Sequence, residues 1–300
     1  MTGILVVNEF LFSDKFKQIH NWLLEAAKKH GIQMQLRTNS QILIDISSGK
    51  KVREVDFILF WDKDIKLAYY LEQLGYPVFN SSKAIETCDD KSLTYLTLMK
   101  NEYPMPRTII APKTFENIGY TNYLFLAQIA DRLGFPMVVK ESFGSFGQQV
   151  YLVQNKEELY QLIKELGTKP VLFQEFIKSS FGRDIRLQVV GKQVVASMLR
   201  YSENGDFRAN LTIGGKMKQY EPNLRQKELA IQCCECVGLD FAGVDLLFGE
   251  NEEPIVCEIN SNAHFKNIFD CTGVNVADSI MDYIIQKLDH DNCSGIMEKI

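Results

Sequence analysis

Three hundred residues, 46% of them hydrophobic, can bury a sizeable core, as two packed lobes or as one large α/β unit. With 38 acidic against 33 basic side chains the formal charge is −5, which argues against broad, sequence-independent nucleic-acid binding, because that draws its affinity from phosphate neutralisation. A local basic pocket for a small phosphate ligand is compatible with this balance. No apolar run approaches the ~18 residues of a membrane span, and Met1 to Asn8 is short and lacks the basic flank of a secretory signal, so a cytoplasmic protein is expected. The seven cysteines (Cys88, Cys233, Cys234, Cys236, Cys257, Cys271, Cys293) are odd in number and unevenly spread, which suits reduced thiols. Cys233, Cys234 and Cys236 lack a second Cys/His pair at zinc spacing and read as helix core.

In chain order, Gly3 to Asn8 is a short buried-strand pattern, and Phe16, Ile19, Trp22, Leu23 and Ala26 mark a helix from Asp14 to His30 that Gly31 ends. Strands around Gln33 to Arg37 and Val55 to Phe60, then a helix from Ile65 to Leu74 closed by Gly75, continue the alternation. The first ~85 residues therefore read as a small parallel α/β lobe. Beyond Lys91 the pattern becomes α+β: helix 91–102, strand 107–111, helix 121–133, strand 137–140, a glycine-rich turn, strand 150–153, helix 156–166 and strand 171–174. Strands 186–190 and 193–199 flank the hairpin-like turn Gly191-Lys192. Helix 222–237, strands 243–248 and 255–259, a helix over 276–288 and a frayed polar tail from Asp289 complete the reading.

Several groups point to phosphate chemistry. Asp245 in GVDLLF, with Glu258 and Asn260 in VCEIN, offers two carboxylates and an amide oxygen on neighbouring strands, and period two puts Glu258 and Asn260 on one face. Such hard oxygen ligands leave coordination positions for phosphate and water, as magnesium prefers; the alternative is polar strand ends facing solvent. Lys140 ends the apolar strand MVVK and is followed at once by ESFGSFGQQV, where Gly144 and Gly147 let backbone N–H groups curl around phosphate oxygens. This is neither Walker A nor the dinucleotide fingerprint, and an ordinary hairpin turn is the alternative. Gln174-Glu175-Phe176-Ile177 can offer main-chain groups to an adenine edge. Arg183, Arg186, Arg200 and Arg208, set among turns, supply the positioned positive charge that an acyl phosphate needs, with surface ion pairing as the alternative for each.

The order of these segments resembles the ATP-grasp superfamily, and their wording its RimK-like glutamate-ligase family. The resemblance rests on DDKSLTYLTL (Asp89 to Leu98), MVVKESFGSFG (Met137 to Gly147), QEFI (Gln174 to Ile177), GRDIRLQVVG (Gly182 to Gly191), GDFRANLTIGG (Gly205 to Gly215), LDFAGVDLL (Leu239 to Leu247) and CEINSN (Cys257 to Asn262). It implies an α/β (α+β) fold in which a Rossmann-like pre-ATP-grasp lobe, residues 1–90, precedes an ATP-grasp module of two α+β subdomains, residues 91–288, and a polar tail, 289–300. It also implies that Lys91 and Lys140 contact nucleotide phosphates, and that the glycine loop with Ser145 and Gly147 closes as a lid. Glu175 and Phe176 would hold the adenine, and Asp184 would fall at a nucleotide-binding position. Arg200, Arg208 and Asn210 would surround the γ-phosphate and the activated carboxylate, Arg208 also touching the nucleotide. Asp245, Glu258 and Asn260 would hold two magnesium ions, with manganese able to substitute.

The function so implied is an ATP-dependent carboxylate–amine ligase that joins an amino acid, glutamate being one choice, to a peptide, protein or coenzyme acceptor through an acyl phosphate. A D-alanine–D-alanine-like small-molecule ligase and a catalytically silent nucleotide-binding protein are the rivals. The expected partners are these substrates, with neither nucleic acid nor membrane, and a homo-oligomer is left open. The chain departs from the family pattern in three places: the loop lacks a further glycine near Gln149, Ser261-Asn262-Ala263-His264-Phe265 stands where S-P-G-L is usual, and Phe60-Trp61-Asp62-Lys63-Asp64 replaces an arginine-bearing turn.

Overall fold

The computed structural model describes residues 1–11, 13–47, 54–144 and 147–297. Its first sheet is built from β1 (Thr2–Val7), α1 (Asp14–Lys29), β2 (Gln33–Thr38), β3 (Phe57–Trp61), α2 (Ile65–Gln73) and β4 (Val78–Phe79), with all strands parallel in the order β2-β1-β3-β4. Two helices follow, α3 (Ser82–Asp89) and α4 (Lys91–Leu98). The second sheet is antiparallel, in the order β5-β8-β6-β7, and comprises β5 (Thr108–Ile110), α5 (Leu124–Leu133), β6 (Met137–Glu141), β7 (Val150–Val153), α6 (Lys156–Leu166) and β8 (Val171–Glu175). The third, also antiparallel, runs β11-β10-β9-β12-β13. Its elements are β9 (Arg183–Val190), β10 (Gln193–Tyr201), β11 (Lys216–Gln219), α7 (Leu224–Val237), β12 (Phe241–Phe248) and β13 (Pro254–Asn260), with α8 (Lys266–Thr272) and α9 (Val276–Met297) after them.

Local chemistry accounts for many boundaries. Ser13, Asp64, Ser81, Asp90, Asn155 and Asn223 each accept a first-turn N–H with the side chain, which starts α1, α2, α3, α4, α6 and α7; such caps are typically worth ~1 kcal/mol. The helix expected over 91–102 stops at Leu98 and gives way to a 3₁₀ turn, Met99–Asn101. Nor does α9 fray at Asp289: its backbone stays helical to Met297. β4, α3, β11 and α8 were not anticipated, because β4 has two residues, β11 reads KMKQ with no apolar alternation, and α3 and α8 are short. No described helix is long and apolar enough to cross a membrane.

The core is divided by the sheets. One face of the third sheet packs against α3, α4 and α7, and Cys88, Cys233 and Cys234 lie in that layer as buried thiols. Burial pushes the Cys233 thiol up to about 12, so it is inert packing. The other face joins the first sheet in one continuous core through Val190, Met198, Phe241, Trp61, Phe79 and the helices α1, α8 and α9. Asn80, fully buried, is the polar clasp between the two sheets. Its Nδ2 donates to the carbonyls of Phe241 (2.9 Å) and Ser261 (3.0 Å), and its Oδ1 accepts from the main-chain N–H of Asp240 (2.7 Å) and Phe241 (3.2 Å).

Removing this amide strands buried peptide groups, each at a cost of ~1–3 kcal/mol. Asn80→Ala should therefore lower stability by on the order of 3 kcal/mol, read as a lower urea midpoint. A shift below about 0.5 kcal/mol would show that water replaces the clasp.

Candidate active site: two cavities sharing one wall

The site is set by strand register. Across the third sheet Arg200 of β10 stands opposite Asp184 of β9, Arg186 of β9 opposite Asp245 of β12, and Asp245 opposite Glu258 of β13. These residues share a sheet face by period two, and the facing strands pair them chemically. Arg186 binds Asp245 with two parallel bonds of 2.6 Å, from Nε and Nη2. Arg200 reaches Asp184 from Nε (2.6 Å) and Asp245 from Nη2 (2.9 Å). Asp245, Arg200 and Asp184 are all buried. Burial alone would push Asp245 up, but Arg186 and Arg200 outweigh it and hold its carboxyl below the usual range. Asp184 moves the other way: burial, reinforced by the neighbouring Asp245 charge, outweighs Arg200 and raises it. Two carboxylates thus share two guanidinium groups, and one of them titrates late.

On the β6 side, Lys140 is buried with Nζ 3.9 Å from Cys257 Sγ. Burial works against its charge, yet the surrounding Cys257, Tyr95, Glu258 and Asp245 leave its pKa above the ordinary value. Lys91 Nζ lies 3.5 Å from Glu258 Oε1 and donates to the Gly144 carbonyl at 2.9 Å. Arg208 donates from Nη1 to the Gly147 carbonyl (2.8 Å) while its Nε and Nη2 hold Asp206. Both ends of the glycine loop are therefore fastened by cations of the cleft. Gly147 has φ +73°, and a Cβ there would sit 2.6 Å from Asn210 Oδ1, so the backbone approaches Asn210 as no other residue could.

Most of the residues singled out from the sequence line this one cleft, among them Lys91, Lys140, Gly147, Glu175, Phe176, Asp184, Arg200, Arg208, Asn210, Asp245 and Glu258. Asn260 lies outside it, on the adjoining cavity, and Ser145 falls outside the described residues. The Glu175 carboxylate is turned onto Arg107, which donates to it from Nε and from the main chain, both at 2.8 Å. Phe176 meets Phe207 edge-on at 6.2 Å and forms an aromatic wall.

The second cavity, about 330 Å³, shares Arg200, Asn210 and Glu258 with the cleft and is otherwise lined by Asn8, Lys15, His20, Asp62, Lys63, Arg186, Asn262 and His264, among others. Of these Asn8 and Asp62 were not assigned a role from sequence. The signal that could have found them is their place at the carboxyl ends of β1 and β3, where ligands of parallel sheets bind. The segment after β13 closes over the sheet because Gly243 has no side chain: a Cβ there would lie 2.4 Å from that of Ala263. Along this segment Asn260 Nδ2, Asn262 Oδ1 and both ring nitrogens of His264 are buried without hydrogen-bond partners among the described residues. Buried polar atoms are rarely left so, and four on one cavity wall mark a surface made for a polar ligand.

The same wall tests the fit of a divalent ion. Asp245 and Glu258 face each other across the strands and Asn260 follows on the same side, hard oxygens of the kind magnesium takes, with the Asp245 oxygens also engaged by Arg186 and Arg200. Among the described residues no three His, Cys, Asp or Glu side chains converge to hold a metal; an ion held here would need phosphate oxygens and water to complete its shell.

Burial, followed by the charge of Lys15, pushes the His264 imidazole down to about 3, with Arg186 and Lys266 acting the same way. The unfolded chain takes up this proton below the ordinary histidine range while the folded one does not. His264 thus contributes stability that is complete above pH ~6.5 and is lost as pH falls towards 3. His264→Gln should flatten the fall in stability between pH 7 and 4, measured by urea unfolding at each pH. An unchanged slope would mean the ring is protonated in the folded state.

A family model described as a RimK-like ATP-grasp domain matches residues 88–284. Beta-citrylglutamate synthase B of Danio rerio is 32% identical over 257 residues, covering 85% of this chain and 62% of that protein. N-acetylaspartylglutamate synthase A of Homo sapiens is 35% identical over 228 residues, covering 76% and 57%. The chain therefore spans less than two thirds of the length of these two relatives. A probable alpha-L-glutamate ligase of Legionella pneumophila is 33% identical over 221 residues, covering 73% and 70%. Among solved structures, D-alanine–D-alanine ligase from Bacillus anthracis complexed with ATP superposes with a TM-score of 0.73 at 19% identity, covering 98% of this chain and 99% of that one; at that identity the likeness is one of fold.

Proposed function

The chain belongs to the RimK-like ATP-grasp family, and on that premise we propose that it is an ATP-dependent ligase joining a carboxylate to an amine as an amide, with release of ADP and phosphate. The observation that carries this reading is the shared wall: Arg200, Asn210 and Glu258 border both the cation-lined cleft and the second cavity. A nucleotide in the first and a small substrate in the second would meet there. The relatives' names point to glutamate as the amine and to citrate or N-acetylaspartate as the carboxylate. A cavity of about 330 Å³ is within the range of small-molecule sites.

In this reading Lys91 and Lys140 bind nucleotide phosphates beneath the glycine loop, and Glu175 and Phe176, with Ile177 beside them, border the base. Asp245, Glu258 and Asn260 would hold magnesium, as two ions or with manganese in its place, and the metal when bound neutralises phosphate charge. Arg200, fixed by Asp184 and Asp245, presents preorganised positive charge at the junction where the substrate carboxylate meets the γ-phosphate. Arg208 holds the Gly147 end of the loop, against which Asn210 packs closely, and a loop so held would shield the reacting groups from water. No serine or cysteine nucleophile is needed; the chain's share is position and charge.

Pairwise addition of L-glutamate with citrate or N-acetylaspartate should give ATP- and magnesium-dependent ADP, with the amide identified by mass spectrometry. ADP release that no amine–carboxylate pair stimulates would remove the ligase reading. Lys140→Ala should weaken ADP affinity in calorimetry and lower turnover at least a hundredfold, about 2.7 kcal/mol. Near-normal affinity and turnover would take Lys140 out of the phosphate site.

A further inference from the structure

Resting on the ligase reading, we propose that Asp62 is the residue that receives the attacking amine: its carboxylate holds the substrate's ammonium in the second cavity and accepts one of its protons. Among the described residues two carboxylates line this cavity, Asp62 and Glu258. Glu258 lies against Lys91 and belongs equally to the nucleotide cleft. Asp62, only 6% exposed, is bonded by neutral donors, Asn8 Nδ2 at 3.2 Å to each oxygen and the Lys63 main-chain N–H at 2.7 Å. The Lys63 ammonium is spent on Asp89 at 2.7 Å. The carboxylate therefore keeps its negative charge for a ligand. Asn262 Nδ2 donates to the Asp62 carbonyl at 2.9 Å, which fixes that amide with Oδ1 as an acceptor lacking a partner among the described residues, suited to a second N–H of the same ammonium. Lys15, Arg186 and His264 line the same cavity and are the groups that would face the substrate's carboxylate end. Burial also raises Asp62 above the usual carboxylate range, which makes it a better proton acceptor.

The step balances. The ammonium gives one proton to Asp62, and the freed nitrogen pair attacks the acyl carbon to form the C–N bond. The C–O bond to phosphorus then breaks, its electron pair leaving on inorganic phosphate, which carries off the second nitrogen proton. Asp62 returns its proton to water.

The test uses the whole chain with ATP, magnesium, citrate or N-acetylaspartate, and either L-glutamate or hydroxylamine. Hydroxylamine is already unprotonated near neutral pH and traps the acyl phosphate as a hydroxamate without needing a proton acceptor. Asp62→Asn preserves shape and is expected to cut amide formation about a hundredfold, while hydroxamate formation and ADP affinity stay within about threefold of the parent. Asn8→Ala, which frees the carboxylate from its orienting amide, should lower amide formation about tenfold with hydroxamate unchanged, and it serves as the readout if Asp62→Asn does not fold. Amide formation within threefold of the parent, or hydroxamate falling in parallel with amide, overturns the role of Asp62. A parent protein that makes neither product overturns the ligase reading itself.

Discussion

A ladder of four charges, Arg200–Asp184 and Arg186–Asp245, buried except for the half-buried Arg186, is the constraint on which the site depends. Taking such ions from water costs several kcal/mol each, and only complete pairing offsets it. The sheet provides that pairing through register, since every member is opposed to its partner across a strand boundary. A slip of one residue would turn the charges onto the face occupied by Ile185, Leu187, Val244 and Leu246, against the thiols and leucines of α7. Stability by itself does not explain keeping ions there, because apolar residues would pack as well. Under the proposed function, preorganised charge facing a phosphate ligand does explain it.

From this ladder the two cavities follow. Arg200 and Glu258 stand at their common wall, so a group bound in one is within the field of residues that also serve the other. Lys91 and Arg208 add a mechanical link, since each cation faces the cleft while holding a carbonyl at one end of the glycine loop. Position over the cleft and charge within it are carried by the same side chains.

The first sheet contributes its strand ends. Asn80 clasps it to β12 and to the turn after β13, while Trp61 stacks on Phe241 at 5.5 Å and meets Phe265 edge-on at 5.7 Å. This joint sets Asn8 and Asp62 opposite Asn262 and His264 and so shapes the second cavity. A change in the clasp would reach the second cavity, which the first sheet lines, before it reached the cation-lined cleft.

The sequence by itself determined the alternation of elements, most helix starts, and the residues that gather in the cation-lined cleft, because caps, period-two alternation and glycine turns are local chemistry. It also carried the family resemblance, through motifs that stay contiguous. Only the tertiary structure decided which cation meets which carboxylate: nothing local says that Asp245 faces Arg186 rather than solvent, since that is a matter of register between strands 59 residues apart. The same holds for the Glu175 carboxylate, which pairs with Arg107 68 residues earlier, and for the second cavity, whose walls come from both ends of the chain. His264 looks like an isolated histidine near a strand end in the sequence. It becomes part of a polar wall because Gly243 lets residues 261–264 lie against the sheet and Asn80 holds the carbonyl of Ser261, and long-range packing of that kind leaves no local trace.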